Sequence, residues 1–214
     1  MNQCEKLFNY LFLNLENRLN FKPEEIELKA IAKDIVTGKT PATKETENFA
    51  TKDIPFITID DLKKSAFINK TNRYISYIGA NKQKEKFIPP YSLCVSCIAT
   101  VGELGFTTME SQTNQQINSI VFDDEKFKFY TYFSLRKIFQ NINIKSGNIF
   151  SNMSKKEFSE LKIIKPNNLL LDKFSEVAES IFKKVENNHL ENSQLIDLKN
   201  YLLPLLMNGQ ITID

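Results

Sequence analysis

At 214 residues, the chain has room for one domain, or for one domain with an appendage. It is 42% hydrophobic and 25% charged, as globular proteins are, and its net charge of +2 carries no strong nucleic-acid signature in the totals. No run reaches the length of a transmembrane helix, and three cysteines in a lysine-rich chain fit a reducing cytoplasm rather than a disulfide framework. Lysine supplies almost all the positive charge; the arginines are Arg18, Arg73 and Arg136.

Met1 to Leu19 predicts a short amphipathic helix, because Phe8, Leu11, Phe12, Leu15 and Leu19 recur at helical spacing. Such a helix is marginal alone in water and needs a partner surface. Glu5, Asn9, Asn14 and Glu16 interrupt its apolar patch and no small-residue cleavage site follows, so no signal peptide is expected. Pro23 punctuates the break, and Glu27 to Val36 opens a globular part. Thr37 to Pro41 is a turn, and Ala42 to Lys52, without apolar period, a surface loop. Phe56 to Ile59 predicts a strand, Asp60-Asp61-Leu62 the cap of a short helical turn, and Arg73 to Ile78 an alternating strand. Asn81 to Lys86 is a charged loop, and Pro89-Pro90 stops regular structure.

Leu93 to Ile98 is a β-rich run leading into the turn Thr100 to Glu103, a second run follows over Leu104 to Thr107, and a third over Ile117 to Phe122. Between them, Gln112-Thr113-Asn114-Gln115-Gln116 is a poor core and a poor linker. It suits either a surface that reads hydrogen-bond patterns or a loop tied to its own backbone. Phe129 to Ile142 predicts an amphipathic helix with Tyr132, Phe133, Leu135, Ile138 and Phe139 on its apolar face. Lys145 to Asn148 is a loop. Ser154 and Glu157 form a capping box before a short helix, Lys155 to Leu161, and a strand over Lys162 to Lys165 ends at Pro166.

Leu169 to Leu206 has no glycine, and its one proline is Pro204. On a seven-residue frame Phe174, Ile181, Asn188, Leu195 and Leu202 share one core position, and Val177, Leu198 and Leu205 the other, which Lys184 and Glu191 interrupt. This predicts one long helix of roughly 55 Å with a packing seam and a polar middle, capped at Asn208-Gly209. Asn188 either fixes the register of a coiled coil or belongs to a solvated segment between two packed ends. The fold class expected is α+β, a globular β-rich domain followed by a long coiled-coil-forming helix. Its parts are residues 1–20, 21–166 and 167–208.

Apparent catalytic motifs dissolve on inspection. Cys94 and Cys97 have CxxC spacing, but in a strand residues three apart face opposite sides, and no second pair accompanies them. The lone His189 lies far along the chain, so two buried thiols are expected rather than a metal site. Ile88-Pro89-Pro90-Tyr91 resembles the Pro-Pro-aromatic motif of amino-methyltransferases, but Ile88 stands where a polar residue must hold the amino group, and no glycine-rich loop exists for a methyl donor. Gly38-Lys39-Thr40 lacks the glycine five residues earlier that a phosphate loop needs; Lys33 is there. With no nucleophile–base pair, neither enzymatic activity nor a cofactor is expected of this chain.

Five segments, in order, resemble the specificity subunits (S subunits, HsdS) of type I restriction–modification systems. Gly38 to Pro41 and Asp53 to Thr58 with Asp61-Leu62 look like the opening of a target recognition domain. Cys97 to Gly102 resembles its apolar strand and Ala-Thr-Ile-Gly turn, and Thr113-Asn114-Gln115 its Thr-Asn-Gln. Gly147-Asn148-Ile149 with Lys155 to Pro166 looks like its closing segment. Leu202 to Gln210 resembles the end of its spacer helix, and Leu7 to Phe12 the remnant that follows such a helix.

A complete S subunit has two recognition domains and two spacer helices packed antiparallel; this chain carries one of each. The resemblance therefore implies half a subunit, which a symmetric homodimer through the seam from Phe174 to Leu205 would complete. It implies a duplex DNA target of two half-sites flanking an unread spacer. It also implies a modification subunit that holds S-adenosylmethionine, and a restriction subunit as a further partner. Phosphate contacts are expected from Lys39, Lys44, Lys82, Lys84, Lys86 and Lys145, and base contacts from Arg73, Asn81, Gln83, Gln112 and Asn148. Asn114 and Gln115, shared across targets in the family, are expected to tie their loop. Two other classes stay open at this point: a non-catalytic interaction module dimerising through its C-terminal helix, and an enzyme with an unrecognised site.

Overall fold

The structure, a computed structural model, describes residues 2–13, 24–146 and 152–211. Its core is organised by aromatic side chains that are distant in sequence. The N-terminal helix α1 (Asn2–Phe8) runs on into a π-helical turn, Asn9–Leu13, and buries Cys4, Phe8 and Phe12. The expected continuation to Leu19 lies outside the described residues.

Strand β1 (Glu25–Glu27) pairs antiparallel with β10 (Lys162–Ile164), which joins the start of the globular part to its end. The main sheet has five strands in the order β2 (Ala32–Thr37), β9 (Ile117–Phe122), β6 (Leu93–Ser96), β7 (Leu104–Thr107), β4 (Phe67–Ile68). It is antiparallel except where β4 joins β7. A smaller sheet centres on β3 (Ile54–Ile57), with β5 (Arg73–Ile75) antiparallel on one side and β8 (Gln112–Thr113) parallel on the other. The β6–β7 turn uses left-handed backbone at two positions: Ala99 has φ 66° and Gly102 φ 96°.

The alternation of β6 separates its residues between two cores. Leu93, Val95 and Cys97 join the large cluster under the helices, while Cys94 packs with Val36, Ile57, Leu62 and Ile117 on the other face. The two thiols thus face apart. Burial pushes Cys94 up to about 12 and Cys97 to about 11, far from the thiolate that a metal requires.

The short helix α2 (Ile59–Leu62) starts one residue before the expected cap. Thr58 and Asp61 form its capping box. The strand expected over Arg73 to Ile78 stops at Ile75, because the Ser76 hydroxyl accepts from Gly79 N at 3.1 Å and caps α3 (Tyr77–Asn81). The loop expected over Ala42 to Lys52 contains a 3₁₀ turn, Thr46–Phe49. Helix α4 (Phe127–Ser146) outruns the expected Phe129 to Ile142 at both ends and takes in Lys145 and Ser146, which were expected in a loop. The Ser154–Glu157 capping box forms as expected, and α5 (Lys155–Ser159) ends two residues before Leu161.

The long helix is α6 (Asn168–Met207), capped by the Asn167 side chain and ended at Gly209, whose φ is +66°. Its first half buries Leu171, Phe174, Ala178 and Phe182, spaced three or four apart, against its own domain. Phe174 meets Phe8, Phe12 and Phe133, and Phe182 stacks on Phe129 with centroids 4.1 Å apart. This corrects the seam read from the heptad frame. Phe174 fills the intramolecular core, and Ile181 packs beside it, so neither is free for a second chain. Val177, Asn188, Leu195 and Leu198 are exposed, and Leu202 and Leu205 partly so. No helix among the described residues is long and apolar enough to cross a membrane.

This division predicts two different losses. Phe174→Ala should lower the free energy of unfolding by about 3–5 kcal/mol, because it empties a fully buried site. Leu198→Ala should change it by about 0.5 kcal/mol or less when the chain is dilute enough to be monomeric. Urea unfolding of both variants checks the assignment; similar losses would contradict it.

Candidate nucleic-acid interface

The smaller sheet and the loops around it form a lobe with its own apolar centre of Ile54, Phe56, Ile75 and Ala80, covered by Phe49 and Phe87. The lobe is held by buried polar side chains. Asn48, fully buried, donates from Nδ2 to Ala42 O at 3.0 Å, while its backbone carbonyl accepts from Ser76 N at 2.9 Å. Ser76 also donates through its hydroxyl to Glu47 O at 2.6 Å. Gly79 must be a glycine for this contact, since a Cβ there would lie 2.7 Å from Asn48 O.

Two residues expected to read bases belong to this internal framework instead. Gln83 and Gln112 are 2% and 0% exposed. Gln83 Nε2 donates to Gln112 Oε1 and to Lys39 O, both at 2.8 Å, and Gln112 Nε2 donates to Ala80 O at 3.0 Å. Their amides are committed inside the protein, where an unpaired polar group is costly, and do not reach a groove. Lys82 is committed as well. Its ammonium pairs with Glu45 at 2.7 Å and with Glu47, and donates to Asn48 Oδ1 at 3.1 Å. Hydrogen bonds from these carboxylates raise its pKa above the ordinary lysine value.

The Thr113-Asn114-Gln115 loop is the hub that joins the lobe to the main sheet. Asn114 N donates to Ile57 O, Lys39 N to Thr113 O, and Gly38 N to Ile117 O, all within 3.1 Å. Asn114 Oδ1 accepts from Gln116 N at 3.2 Å, and Gln115 Oε1 accepts from the Thr40 hydroxyl at 2.7 Å. Of the two readings open for the amide run, the structure has the loop tied to backbone. It also explains Gly38: a Cβ there would stand 2.1 Å from Asn114 O.

What the framework presents outward is a set of exposed side chains on adjoining segments. Lys39 leads out of the hub, Lys44 lies on the loop over Asn48, Asn81 ends α3, and Lys84 follows it; all are exposed, and Lys86 is half-buried. Arg73 is exposed with its guanidinium 5.5 Å from the ring centres of both Phe49 and Phe56. The rings restrain its aim without occupying its hydrogen-bond donors. Lys145 lies in the last turn of α4, away from this lobe in the chain, and its side chain and Asn148 fall outside what is described. The sequence reading missed Tyr77 and Ile78, which remain 60% and 57% exposed on α3. The signal was Ser76 with Gly79 three residues on, a cap that an alternating pattern obscured.

The chain is thus a β-rich domain whose smaller lobe carries exposed lysines, followed by one long helix. Residues 20–200 match the family described as the type I restriction modification DNA specificity domain, and the chain belongs to that family. It is similar to the HindI specificity subunit of a type I restriction enzyme from Haemophilus influenzae, with 40% identity over 195 residues, covering 88% of this chain and 42% of that protein. It is also similar to the EcoprrI specificity subunit from Escherichia coli, with 28% identity over 128 residues, covering 52% of this chain and 30% of that one. These relatives are named specificity subunits, not methylases or nucleases.

Among solved structures, the fold is that of the S subunit from M. genitalium (TM-score 0.64, 14% identity, 94% of this chain and 52% of that one). The HsdS subunit from Thermoanaerobacter tengcongensis is similar (TM-score 0.60, 16% identity, 98% and 51%). The chain spans less than half the length of the curated relatives and about half that of these two structures.

The hub makes a specific demand on Gly38. Gly38→Ala should cost about 3 kcal/mol or more, since the added methyl meets two backbone carbonyls, Asn114 O and Thr113 O, as well as the Thr113 hydroxyl. Lys39→Ala, on an exposed neighbour, should cost about 0.5 kcal/mol or less. Thermal melts of the two variants decide; a Gly38→Ala protein as stable as wild type would remove the hub from the account.

Proposed function

We propose that this chain is a DNA-recognition component of a type I restriction–modification system, reading one half-site with the lobe around β3, β5 and α3. The observation that carries the reading is the 40% identity, over 88% of the chain, to a protein named as a specificity subunit. The lobe supports it physically. Lys39, Lys44, Lys84 and Lys86 are placed to meet phosphates, which set position, while Arg73 and Asn81 have free donors for base edges. Tyr77 and Ile78 add apolar surface of the kind that meets a thymine methyl. The chain itself is not a catalyst. Methyl transfer from S-adenosylmethionine belongs to a modification subunit, cleavage to a restriction subunit, and the assembly works on duplex DNA in the cytoplasm.

The second part of the proposal concerns the unpaired half of α6. Leu190, Leu195, Leu198, Tyr201, Leu203 and Met207 are each about half exposed or more. A second copy, packed antiparallel along Leu195, Leu198, Leu202 and Leu205, would bury that stripe of the helix and supply the other recognition domain. Two-fold symmetry then requires inverted, identical half-sites. Light scattering across a dilution series should give twice the 24.8 kDa mass of one chain. Leu198→Asp should return it to one chain, and a wild-type chain that stays monomeric at micromolar concentration would exclude the dimer.

The function is tested by co-expressing the chain with its modification subunit and mapping methylated positions across the host genome. The expected result is a single two-part motif with inverted half-sites. Methylation without a motif, or none, would overturn the proposal.

A further inference from the structure

The root of α6 is held by two kinds of contact that constrain it differently. The buried stripe from Leu171 to Phe182 fixes the helix against the domain, but apolar burial is non-directional and tolerates small rotations. Direction comes from an acidic ridge, Asp172, Glu179 and Glu186, at seven-residue spacing along one side of the helix. Each member meets a group from the globular part. Asp172 lies 3.7 Å from Lys126 Nζ, Glu179 lies 3.1 Å from Lys128 Nζ, and Glu186 accepts from the Tyr91 hydroxyl at 3.4 Å.

Lys128 is the centre of this arrangement. Its side chain is only 5% exposed, it also pairs with Glu125 at 2.9 Å, and its ammonium stands 5.0 Å from the Tyr91 ring centre. Tyr91 in turn is held in left-handed backbone, φ 61°, which a non-glycine residue adopts only when its surroundings enforce it. They do: Tyr91 N donates to Thr107 O at 2.7 Å, and the buried Thr107 hydroxyl and the Ser92 hydroxyl both donate to Pro89 O at 2.8 Å. Farther out the helix meets the domain through Lys70 and Asp197, but both side chains are more than half exposed, and such pairs hold little.

We propose that Lys128, braced by Tyr91, is a positioning residue that sets the angle at which α6 leaves the recognition domain, and so the DNA spacing the assembly accepts. The proposal rests on the two-part recognition described above. Its leverage is geometric. Beyond Glu186 the helix runs on for about 30 Å at about 1.5 Å per residue, so a tilt of about 6° displaces its end by about 3.4 Å, the rise of one base pair. An anchor that relaxes by a few degrees therefore changes the count of unread base pairs without touching any base contact.

The test uses the full chain co-expressed with its modification subunit, with methylated sites mapped in wild type, Lys128→Met, Lys128→Arg and the surface double variant Glu179→Gln/Glu186→Gln. In Lys128→Met and the double variant, methylation at spacers one base pair longer or shorter should rise about tenfold relative to the native spacer, with the half-site sequence unchanged. Lys128→Arg, which keeps the charge, should retain the native spacing. Should Lys128→Met fail to accumulate, the double variant, which keeps Lys128 and changes two carboxylates to amides of the same shape, decides alone. An unchanged spacing in the variants would overturn the positioning role and leave the recognition reading standing; a wild-type complex with no two-part motif would overturn both.

Discussion

The fold depends on the burial of one face of a long helix by aromatic residues drawn from both ends of the chain. Phe174 sits between the N-terminal Phe8 and Phe12 and the α4 residue Phe133, and Phe182 is enclosed by Phe67, Phe106, Phe129 and Tyr132. Neither α1 nor α6 has an apolar partner within itself, and each supplies part of the other's. The β1–β10 pairing closes the same circuit at the backbone level. The domain and the root of its helix therefore share one core, and the helix runs on beyond it.

The same separation of interior from periphery governs the polar residues. Asn48, Gln83 and Gln112 are interior amides that meet backbone carbonyls and each other. Each is costly to bury alone, and together they are satisfied, so that they specify how the loops of the lobe sit on the sheet. The lobe keeps its shape through side chains that face inward, and the Arg73, Asn81, Lys39, Lys44 and Lys84 side chains take no part in that framework of hydrogen bonds. Lys82 marks the boundary: its charge is spent on Glu45 and Glu47, and it joins loop to loop rather than protein to ligand.

Much of this was legible in the sequence, and the failures have physical causes. The β6, β7 and β9 strands, the α4 helix, the Ser154 capping box and the extent of α6 all rest on local periodicity and capping, which a single sequence carries. The opposite facing of Cys94 and Cys97 followed from strand alternation alone. The assignment of Phe174 to an intermolecular seam failed because helical spacing shows that a residue wants a partner, not which partner. Phe8 and Phe133 are more than a hundred and about forty residues away from it. Gln83 and Gln112 looked like surface because isolated amides usually are, and only their mutual approach across 29 positions makes burial tolerable. In both cases the missing information was long-range pairing.

On the function proposed above, the chain has two separable tasks, and they fall to different interactions. Chemical identity at a half-site is a matter of side chains on loops, and it tolerates a framework that is merely stable. Distance between half-sites is a matter of angle and length, and the length of α6 multiplies every angular error at its root. Apolar packing alone, being non-directional, secures the first kind of requirement better than the second. Hydrogen-bonded charges have preferred geometry, and a lysine buried between two glutamates under an aromatic ring has few alternatives. Burial draws the Lys128 pKa down, but the bonds from Glu125 and Glu179 outweigh that and leave it raised, so the ammonium stays charged and the anchor stays directional. The strained Tyr91 backbone fits the same logic: local conformational cost is accepted where orientation, not adhesion, is the property being held.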